Sequence, residues 1–514
     1  MSYRIDPQIY QIFKGIREYN GVNTGGVISA IKCNNVDFVQ SEIGNAVSIR
    51  TTLGNQLYKT LPTGYKVIGI YESEQEGITY TFIYGENETK GTLFYIDTAG
   101  NVTSIIDDLS VTGKSNGLTM TSTAYDIFVF TNGVDAKTVC FTSDSKYGES
   151  VKTITAKDYL GRSIHWLSMT NWNGFLVVAS EYGVHSSHQN DIYKWNDNPQ
   201  DVADSWYINF SKKITAVISF TNGLYIFSKD DLTFLNTTPN DTSSSMQTAA
   251  MNGCFSYESI IKHDTYLFFY DENQKNIYYL TITDTGQTRP TGPAAKEVQS
   301  YFNHVKRFKM CSCITGERNE IWCLINDTIL VFDYNQQEWT RRTEQLINCV
   351  GFVENGLLTG DNNGNIYREY INDTFNGEFY DCCYETTMVN LGTNTNMKKQ
   401  KTPLLITLDT NYTNDFWVQL IRDGKEKTAK HIKVNVLANG EYGSADSEAK
   451  INNTFDSARF ALETTYKKKV VEVSTPQTWY TLAIRIFTLS KGQSFFINSI
   501  EMKNIKGKTK TKGR

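Results

Sequence analysis

Two histidines and one acidic loop are the residues whose types could bind a metal ion. His185 and His188 stand three positions apart, a spacing that brings two imidazole rings together on a helix. The surrounding residues have the pattern of a strand and a loop, where side chains three apart diverge. Residues 361–365 offer the oxygen ligands that calcium prefers, but their glycine is not where an EF-hand loop requires it. A polar loop and an ordinary Asp/Asn-Gly turn explain both patterns, so the sequence predicts no metal site.

The cysteines are the next candidates for chemistry, and their number is odd. The chain has nine, and neither Cys311-Ser312-Cys313 nor Cys382-Cys383 has the spacing of zinc ligands. Most of them lie inside predicted strands, and these are Cys140, Cys311, Cys313, Cys323 and Cys349. We therefore expect reduced thiols in the core of a protein that works in a reducing compartment.

Catalytic motifs are the third candidate. The sequence contains no nucleophile elbow, no Walker loop and no zinc-protease helix. A glycosidase requires two carboxylates about 5 to 9.5 Å apart, and that distance depends on the fold. The sequence therefore predicts a structural or binding protein that is not an enzyme, with no catalytic residue and no cofactor.

Two tight turns indicate which elements surround these residues. Asn173-Gly174 and Asn222-Gly223 each join two runs of β-branched and aromatic residues, a strong hairpin signal because both turn residues tolerate positive φ. A further short strand follows each hairpin, at 182–187 and 231–235. A strand, a tight turn, a strand and another hairpin within about 50 residues are typical of one blade of a β-propeller.

The same pattern recurs along the chain with a nearly constant period. A polar or glycine residue directly precedes an apolar strand at Gly77, Asp126, Gly174, Gly223, Thr265, Glu320 and Gly356. Their spacings are 49, 48, 49, 42, 55 and 36 residues. Seven such positions predict six or seven blades. The last unit is short, and we expect the strand at 46–50 to complete it and close the ring, which removes exposed sheet edges.

Composition and charge agree with an all-β protein. Of 514 residues, 40% are hydrophobic and 13% aromatic, which suits many short strands with half-buried faces. The formal net charge of −5 argues against a basic nucleic-acid-binding protein. No run of 18 apolar residues occurs and the first residues do not resemble a signal peptide. We therefore expect a soluble, non-secreted chain without membrane insertion.

These patterns predict an all-β chain, with a six- or seven-bladed β-propeller followed by a C-terminal β-sandwich. The predicted segments are an N-terminal arm at 1–45, the propeller at 46–378, the sandwich at 379–502 and a basic tail at 503–514. Within the arm, residues 10–19 have the apolar spacing of a short helix or docking arm. The sandwich strands are predicted at 381–389, 401–409, 416–423, 431–437, 458–462, 481–489 and 493–502.

Two segments are predicted to contact partners. Residues 186–206 form a long polar loop in the third blade, and such loops are usually functional. Its aromatic candidates are Tyr193, Trp195 and Trp206. The C-terminal tail is rich in cations, and we expect it to be disordered alone. It is either a solvated terminus or a segment that orders in an acidic groove of a neighbouring subunit, with the candidates Lys506, Lys508, Lys510, Lys512 and Arg514.

Four stretches, taken in order, resemble the tail nozzle or tail-stabilisation proteins of short-tailed bacteriophages (podoviruses), including crAss-like phages. The first is 46–54, and the second is 182–227, which contains Tyr193-Lys194-Trp195 and Asn198-Pro199. The third is 252–269, which begins with Asn-Gly-Cys, and the fourth is 364–399, which begins with Gly-Asn-Ile-Tyr. Together they fall within roughly residues 45–405, and their specificity lies in their order.

The resemblance implies a structural protein of the virion tail that is assembled in the host cytoplasm. Members of this family form a ring, usually a homohexamer, below the portal and adaptor rings, and they extend the channel for DNA ejection. The implied partners are other copies of the chain, portal–adaptor ring proteins and tail fibres or plug proteins. Double-stranded DNA would pass transiently without sequence-specific binding. A carbohydrate-binding or glycan-hydrolysing propeller and a cellular propeller scaffold stay open as alternatives.

Overall fold

The computed structural model describes residues 2–17, 27–40, 46–97, 99–122, 125–141, 150–157, 160, 162–195, 201–221, 223–282, 288–354, 356–389, 397–400, 402–409, 412–433, 468–474 and 478–508. Regular structure in these residues is almost entirely β-strand, with short 3₁₀ segments at Tyr257–Ser259 and Lys296–Phe302. Neither segment resembles a membrane span, and no described helix is long and apolar enough to be one.

The chain forms two compact units. The terminal unit contains Met1–Asn55, Leu330–Gln345 and Tyr370–Arg514, and the central unit contains Gln56–Ile329 and Leu346–Glu369. The predicted propeller segment, 46–378, covers the whole central unit. It also covers 46–55, 330–345 and 370–378, which the contacts place in the terminal unit.

The first strands belong to the terminal unit, and they are β1 (Ser2–Ile5), β2 (Gln8–Tyr10), β3 (Ile12–Ile16), β4 (Val27–Asn34), β5 (Val36–Gln40) and β6 (Val47–Thr51). The next strand is β7 (Asn55–Thr60). Five four-stranded sheets follow in chain order. Their strands are β8 (Lys66–Gln75), β9 (Ile78–Glu86), β10 (Gly91–Ile96) and β11 (Val102–Leu109); β12 (Asn116–Ser122), β13 (Tyr125–Thr131), β14 (Ala136–Cys140) and β15 (Ser150–Thr153); β16 (Ser168–Trp172), β17 (Phe175–Ala179), β18 (Gly183–Ser186) and β19 (Tyr207–Asn209); β20 (Ile214–Phe220), β21 (Gly223–Ser228), β22 (Leu232–Leu235) and β23 (Met246–Ala250); and β24 (Ile260–His263), β25 (Tyr266–Asp271), β26 (Asn276–Ile282) and β27 (Thr288–Thr291).

The second half of the chain begins with β28 (Phe308–Ile314), β29 (Asn319–Ile325), β30 (Thr328–Asp333), β31 (Glu338–Arg342), β32 (Ile347–Val353), β33 (Gly356–Asp361) and β34 (Asn365–Glu369). The remaining strands are β35 (Cys383–Thr386), β36 (Met397–Gln400), β37 (Leu404–Asp409), β38 (Phe416–Arg422), β39 (Lys425–Glu426), β40 (Lys430–Ile432), β41 (Lys468–Val473), β42 (Thr478–Trp479), β43 (Leu482–Phe487), β44 (Phe496–Met502) and β45 (Ile505–Lys508).

The central unit is a β-propeller. Each of the five sheets from β8 to β27 joins consecutive strands side by side, β28 and β29 begin a sixth blade, and β32, β33, β34 and β7 form a seventh. The first strands of successive blades contact one another in order, from β8 through β12, β16, β20, β24 and β28 to β32, and β32 contacts β8 again. Within the described residues the unit is therefore a closed ring of seven blades, which confirms the predicted all-β propeller.

The strand that completes the seventh blade is β7, and the prediction that residues 46–50 do so is wrong. The main-chain N–H of Leu61, directly after β7, donates to the carbonyl of Gly364, directly before β34, at 2.8 Å. The predicted strand does exist as β6, but it pairs with β5 and β44 in the terminal unit. Both segments are strands of similar length, β6 with five residues and β7 with six, and the local sequence does not state which distant strand each one pairs with.

The two predicted Asn-Gly turns have different outcomes in the structure. Asn173 and Gly174 both have positive φ, 52° and 82°, between the paired residues Trp172 and Phe175, which confirms the first turn. In the second hairpin Gly223 pairs with Phe220, so Gly223 lies in β21 and its predicted place in the turn is wrong. Asn222, the other residue of the predicted turn, lies outside the described residues. Only glycine fits at this position of the strand, since a Cβ atom there would stand 2.2 Å from the Phe234 ring.

Aromatic and thiol side chains fill the spaces between blades. Phe82 of the first blade stacks on Phe128 of the second, with ring centroids 4.1 Å apart and planes inclined by 7°. All nine cysteines are buried and free of disulfides. Burial raises the pKa of their thiols, for example that of Cys349 to about 11. These thiols are core residues, as the sequence predicted.

The N-terminal segment of the terminal unit is built of strands where the structure describes it. Of the two expectations for 10–19, the short helix is therefore wrong for 10–17, and residues 18 and 19 lie outside the described residues. β3 pairs in parallel with β4, and the side chain of Phe13 packs edge-on against Tyr384 with ring centroids 5.6 Å apart. A short apolar run has no period long enough to separate a helix from a strand. The pairing with β4 favours the strand. So does the close approach of Gly15 to Trp339, whose carbonyl oxygen would lie 2.4 Å from a Cβ atom at Gly15.

Buried charges hold the N-terminal strands to residues 330–345 within this unit. Arg342 pairs with Asp37 at 2.9 Å, and both side chains are almost completely buried. Glu338, also buried, accepts hydrogen bonds from the Gly15 amide at 2.7 Å and from Arg17 at 2.9 Å. Removing one member of such a pair leaves an uncompensated buried charge, which typically costs about 3–5 kcal/mol.

The C-terminal strands fall near most of their predicted positions. Strands occur within or close to the segments predicted from 381, 401, 416, 431, 481 and 493, and the one predicted at 458–462 lies outside the described residues. β38 pairs antiparallel with β43, and β37 pairs antiparallel with β41 and β44. The arrangement of these strands as a sandwich stays a prediction.

The basic tail begins as a strand, and its predicted disorder is wrong for residues 505–508. β45 pairs antiparallel with β1 on one side and with β36 on the other. Ile505 is fully buried, whereas the neighbouring Lys506 is exposed. Two neighbouring strands satisfy the backbone of β45, so a polar composition does not prevent its order.

Candidate ligand site in the propeller channel

The aromatic residues predicted as an interface have different environments. Tyr193 is 39% exposed, and its hydroxyl lies 2.8 Å from the Thr138 hydroxyl. Trp195 is half-buried, and its indole N–H donates to the Ile192 carbonyl at 2.7 Å. Trp206 is only 3% exposed and packs edge-on against Trp172, so this prediction is corrected: its ring belongs to the core and cannot reach a partner.

The basic interface candidates lie at the edge of the described chain. Lys506 is exposed on β45, and Lys508 is the last residue of the same strand. Lys510, Lys512 and Arg514 lie outside the described residues. The two lysines of β45 are therefore held by the sheet and are not part of a free tail.

The residues with metal-ligand character have other partners. His185 Nε2 lies 3.2 Å from the Ser180 hydroxyl, and His188 Nδ1 lies 3.5 Å from an Asp204 carboxylate oxygen. The Asp361 carboxylate accepts the main-chain N–H groups of Asn363 and Asn365, each at 2.8 Å. Among the described residues no three His, Cys, Asp or Glu side chains converge as a metal site.

The channel of the propeller contains a cavity of about 340 Å³. Its walls are the first strands of four consecutive blades, β12, β16, β20 and β24, together with Tyr257. Six polar residues of these strands line it, and they are Thr119, Thr170, Ser219 and Lys262, one from each strand, with Asn116 and Asn171 beside them. One polar residue from each of these first strands thus faces a common space.

Hydrogen bonds connect three of these side chains. The hydroxyl oxygens of Thr170 and Ser219 lie 3.1 Å apart, and the Ser219 main-chain N–H donates to Thr170 Oγ1 at 3.1 Å. Lys262 Nζ donates to Ser219 Oγ at 3.5 Å, a long contact. Lys262 remains open to water, but the channel walls remove part of its hydration and lower the pKa of its ammonium group.

A second polar network lies next to this cavity. The Tyr257 hydroxyl donates to the Ser115 carbonyl at 2.7 Å, and the Tyr71 hydroxyl donates to the Ser115 side chain at 2.7 Å. Lys309 pairs with Glu258 at 2.7 Å and donates to the Ile68 carbonyl at 3.0 Å. Tyr257 also lines a neighbouring cavity of about 200 Å³, so its ring separates two spaces. Burial raises the pKa of Tyr257 well above its ordinary value, and the group is neutral at physiological pH.

The polar residues of the first strands were not among the candidate residues predicted from the sequence. Thr119, Thr170, Ser219, Lys262 and Ser312 stand in successive blades, at spacings of 51, 49, 43 and 50 residues. That is the blade period. A polar residue that recurs with this period in the first strand of each blade is the signal that could have identified them.

Comparisons with known proteins give no family for this chain. No family model matches it. No curated protein matches it either. Among solved structures, two crystal structures of BBS1N in complex with ARL6DN are similar, one soaked with mercury and one with lead. Both are 11% identical with a TM-score of 0.37; they cover 62% and 63% of this chain and 97% and 99% of the matched chain. The assignment of the propeller rests on the strand pairing described above.

Proposed function

We propose that this protein is a structural component of a short bacteriophage tail, where copies assemble into a nozzle ring below the portal and adaptor. The ring, a hexamer in this proposal, extends the channel for DNA ejection and holds fibres or a plug. The ordered resemblance of four sequence stretches supports this function. So does an all-β architecture of blades joined by loops, which can offer separate surfaces to several partners.

One observation carries the proposal. Both units are closed by strands that are distant in sequence, since β7 completes the blade of β32–β34 and β45 pairs with β1. Neither described end of the chain can detach without breaking the strand pairing of a sheet. Such closure suits a component that must keep its shape while DNA leaves under pressure.

The charge of the chain agrees with a conduit for DNA. Lysine and arginine contacts to phosphate groups make proteins bind DNA tightly. A chain with a formal net charge of −5 offers few such contacts overall, so DNA would pass without being held. The basic residues at the C-terminus are then available for contacts with acidic surfaces of neighbouring subunits.

Assembly is the decisive measurement. The purified full chain is studied by negative-stain microscopy and analytical ultracentrifugation at several protein and salt concentrations. Rings with a central opening and a mass near six copies are expected. A chain that stays monomeric at every concentration, alone and with tail adaptor protein, contradicts the proposal. Saturable binding to host surface glycans by that monomer would favour the carbohydrate-binding alternative.

A charge variant tests the role of the tail. Lys510, Lys512 and Arg514 are changed to Gln, and the ring fraction at low salt is expected to fall because opposite-charge attraction is weakened. The control is the same charge change in the exposed Lys114, Lys275 and Lys296 of the propeller, which should assemble like the wild type. Equal assembly of all three proteins at every ionic strength would show that the tail is only a solvated terminus.

A further inference from the structure

Lys262 is a positive charge in the channel cavity without a matching negative charge. Among the described residues, no carboxylate forms an ion pair with its ammonium group, whereas Lys309 nearby is paired with Glu258 at 2.7 Å. The other ionisable group in the cavity wall is Tyr257, which is neutral. The cavity therefore has an electropositive wall.

The groups beside Lys262 are hydrogen-bond donors of the kind that bind oxyanions. The Ser219 and Thr170 hydroxyls lie next to each other, and Asn171 and Asn116 also line the space. A hydroxyl can rotate to donate to an acceptor, and an amide has two N–H donors. An ammonium group with adjacent donors favours a ligand that has several acceptor oxygens and a negative charge.

We infer that the propeller channel binds a small oxyanion, a phosphate or carboxylate group, between Lys262 and the Ser219–Thr170 hydroxyl pair. The cavity of about 340 Å³ accommodates a free anion or one acidic group of a larger molecule. The channel walls exclude part of the bulk water, which strengthens the attraction between the ammonium group and the anion. This site is independent of the proposed nozzle function, since it needs no assembly.

Partial dehydration provides the reason that a ligand should bind here. The channel walls beside Lys262 replace part of its water shell and lower its pKa, and no carboxylate among the described residues pairs with its charge. An incoming anion supplies that compensation. An uncharged sugar does not, although it could use the same hydroxyls.

The test is isothermal titration calorimetry on the full chain with inorganic phosphate and with citrate as separate probes. Ionic strength is held constant with chloride, and glucose is the uncharged control. Saturable binding of phosphate or citrate is expected, without binding of glucose. Phosphate without citrate would identify a phosphoryl site, and citrate without phosphate would identify a carboxylate site. If neither anion binds saturably, the inference is overturned.

Variants locate the site. Lys262→Met removes the charge and keeps an unbranched chain, and affinity is expected to fall at least tenfold. Lys296→Met, at an exposed lysine of the 3₁₀ segment that follows this blade and outside the cavity, should bind like the wild type. Ser219→Ala provides a second variant with a smaller loss of affinity, in case Lys262→Met does not fold. Unchanged affinity in folded Lys262→Met, or in Ser219→Ala if that is the variant available, would show that the anion binds elsewhere.

Discussion

The hydroxyl of Tyr257 donates a hydrogen bond of 2.7 Å to the main-chain carbonyl of Ser115, although 142 residues separate them in the chain. Ser115 directly precedes the second blade, and Tyr257 directly precedes the fifth. In a ring of seven blades these positions face each other across the channel. The Tyr257 side chain therefore connects opposite sides of the propeller, and it forms part of the wall of the proposed anion site.

Replacing Tyr257 by Phe should lower the free energy of unfolding by about 1–3 kcal/mol, because the Ser115 carbonyl loses its donor. Chemical denaturation at neutral pH measures the difference. Tyr182→Phe is the control, since this tyrosine is 52% exposed and should change stability by less than about 0.5 kcal/mol. Equal stability of the Tyr257 variant and the wild type would contradict a structural role for this bond.

Gly223→Ala should be strongly destabilising. A Cβ atom there would lie 2.2 Å from the Phe234 ring and 2.7 Å from the Leu235 carbonyl oxygen, so the blade must shift to make room. Overpacking of this kind costs about 1–3 kcal/mol. Gly316→Ala is the matched control, since nothing lies within 4 Å of its Cβ position. A similar melting temperature for both variants would argue against the close packing of β21 and β22.

Acidification should destabilise the propeller through His263. This side chain is fully buried with Nδ1 2.8 Å from the Ser312 hydroxyl, and burial lowers its pKa below the ordinary value of 6.5 despite the opposing effects of Asn319 and Asp264. The unfolded chain then binds more protons than the native state between the two pKa values. The contribution of neutral His263 to the free energy of unfolding is therefore complete above about pH 6.5. It falls as the pH decreases towards the folded-state pKa.

A variant isolates this contribution. His263→Gln should show a weaker loss of unfolding free energy between pH 7.5 and pH 5, measured by urea denaturation at both pH values. His304→Gln, at an exposed histidine, should retain the wild-type pH dependence. If all three proteins lose the same free energy on acidification, the proton uptake occurs at other groups.

The end of the chain should contribute to folding up to Lys508. Ile505→Ala removes a fully buried side chain from β45 and should cost about 2–5 kcal/mol. A chain that ends at Lys508 should keep the wild-type melting temperature, whereas a chain that ends at Asn504 should melt at a lower temperature. Thermal unfolding of the three proteins tests this. A chain without residues 505–514 that is as stable as the wild type would mean that β45 adds nothing to the sheet.

The sequence alone determined the features that depend on short stretches of chain. The Asn173-Gly174 turn and the recurrence of hairpins every 36 to 55 residues specify blades, because turn chemistry and strand alternation are local. The burial of the cysteines followed from the same alternation. The second hairpin shows where this reasoning stops, since Gly223 lies in a strand, where the Phe234 ring leaves no room for a Cβ atom.

Only the tertiary structure decided which distant strands pair and which side chains meet. β6 and β7 are both plausible closing strands, and the partner of each depends on free edges elsewhere in the chain. Trp206 looked like a loop residue until the packing of Trp172 buried it. Ser219 and Lys262, 43 residues apart, face one cavity because the ring brings neighbouring first strands together. Pairing and convergence of this kind depend on long-range geometry, which a local pattern does not contain.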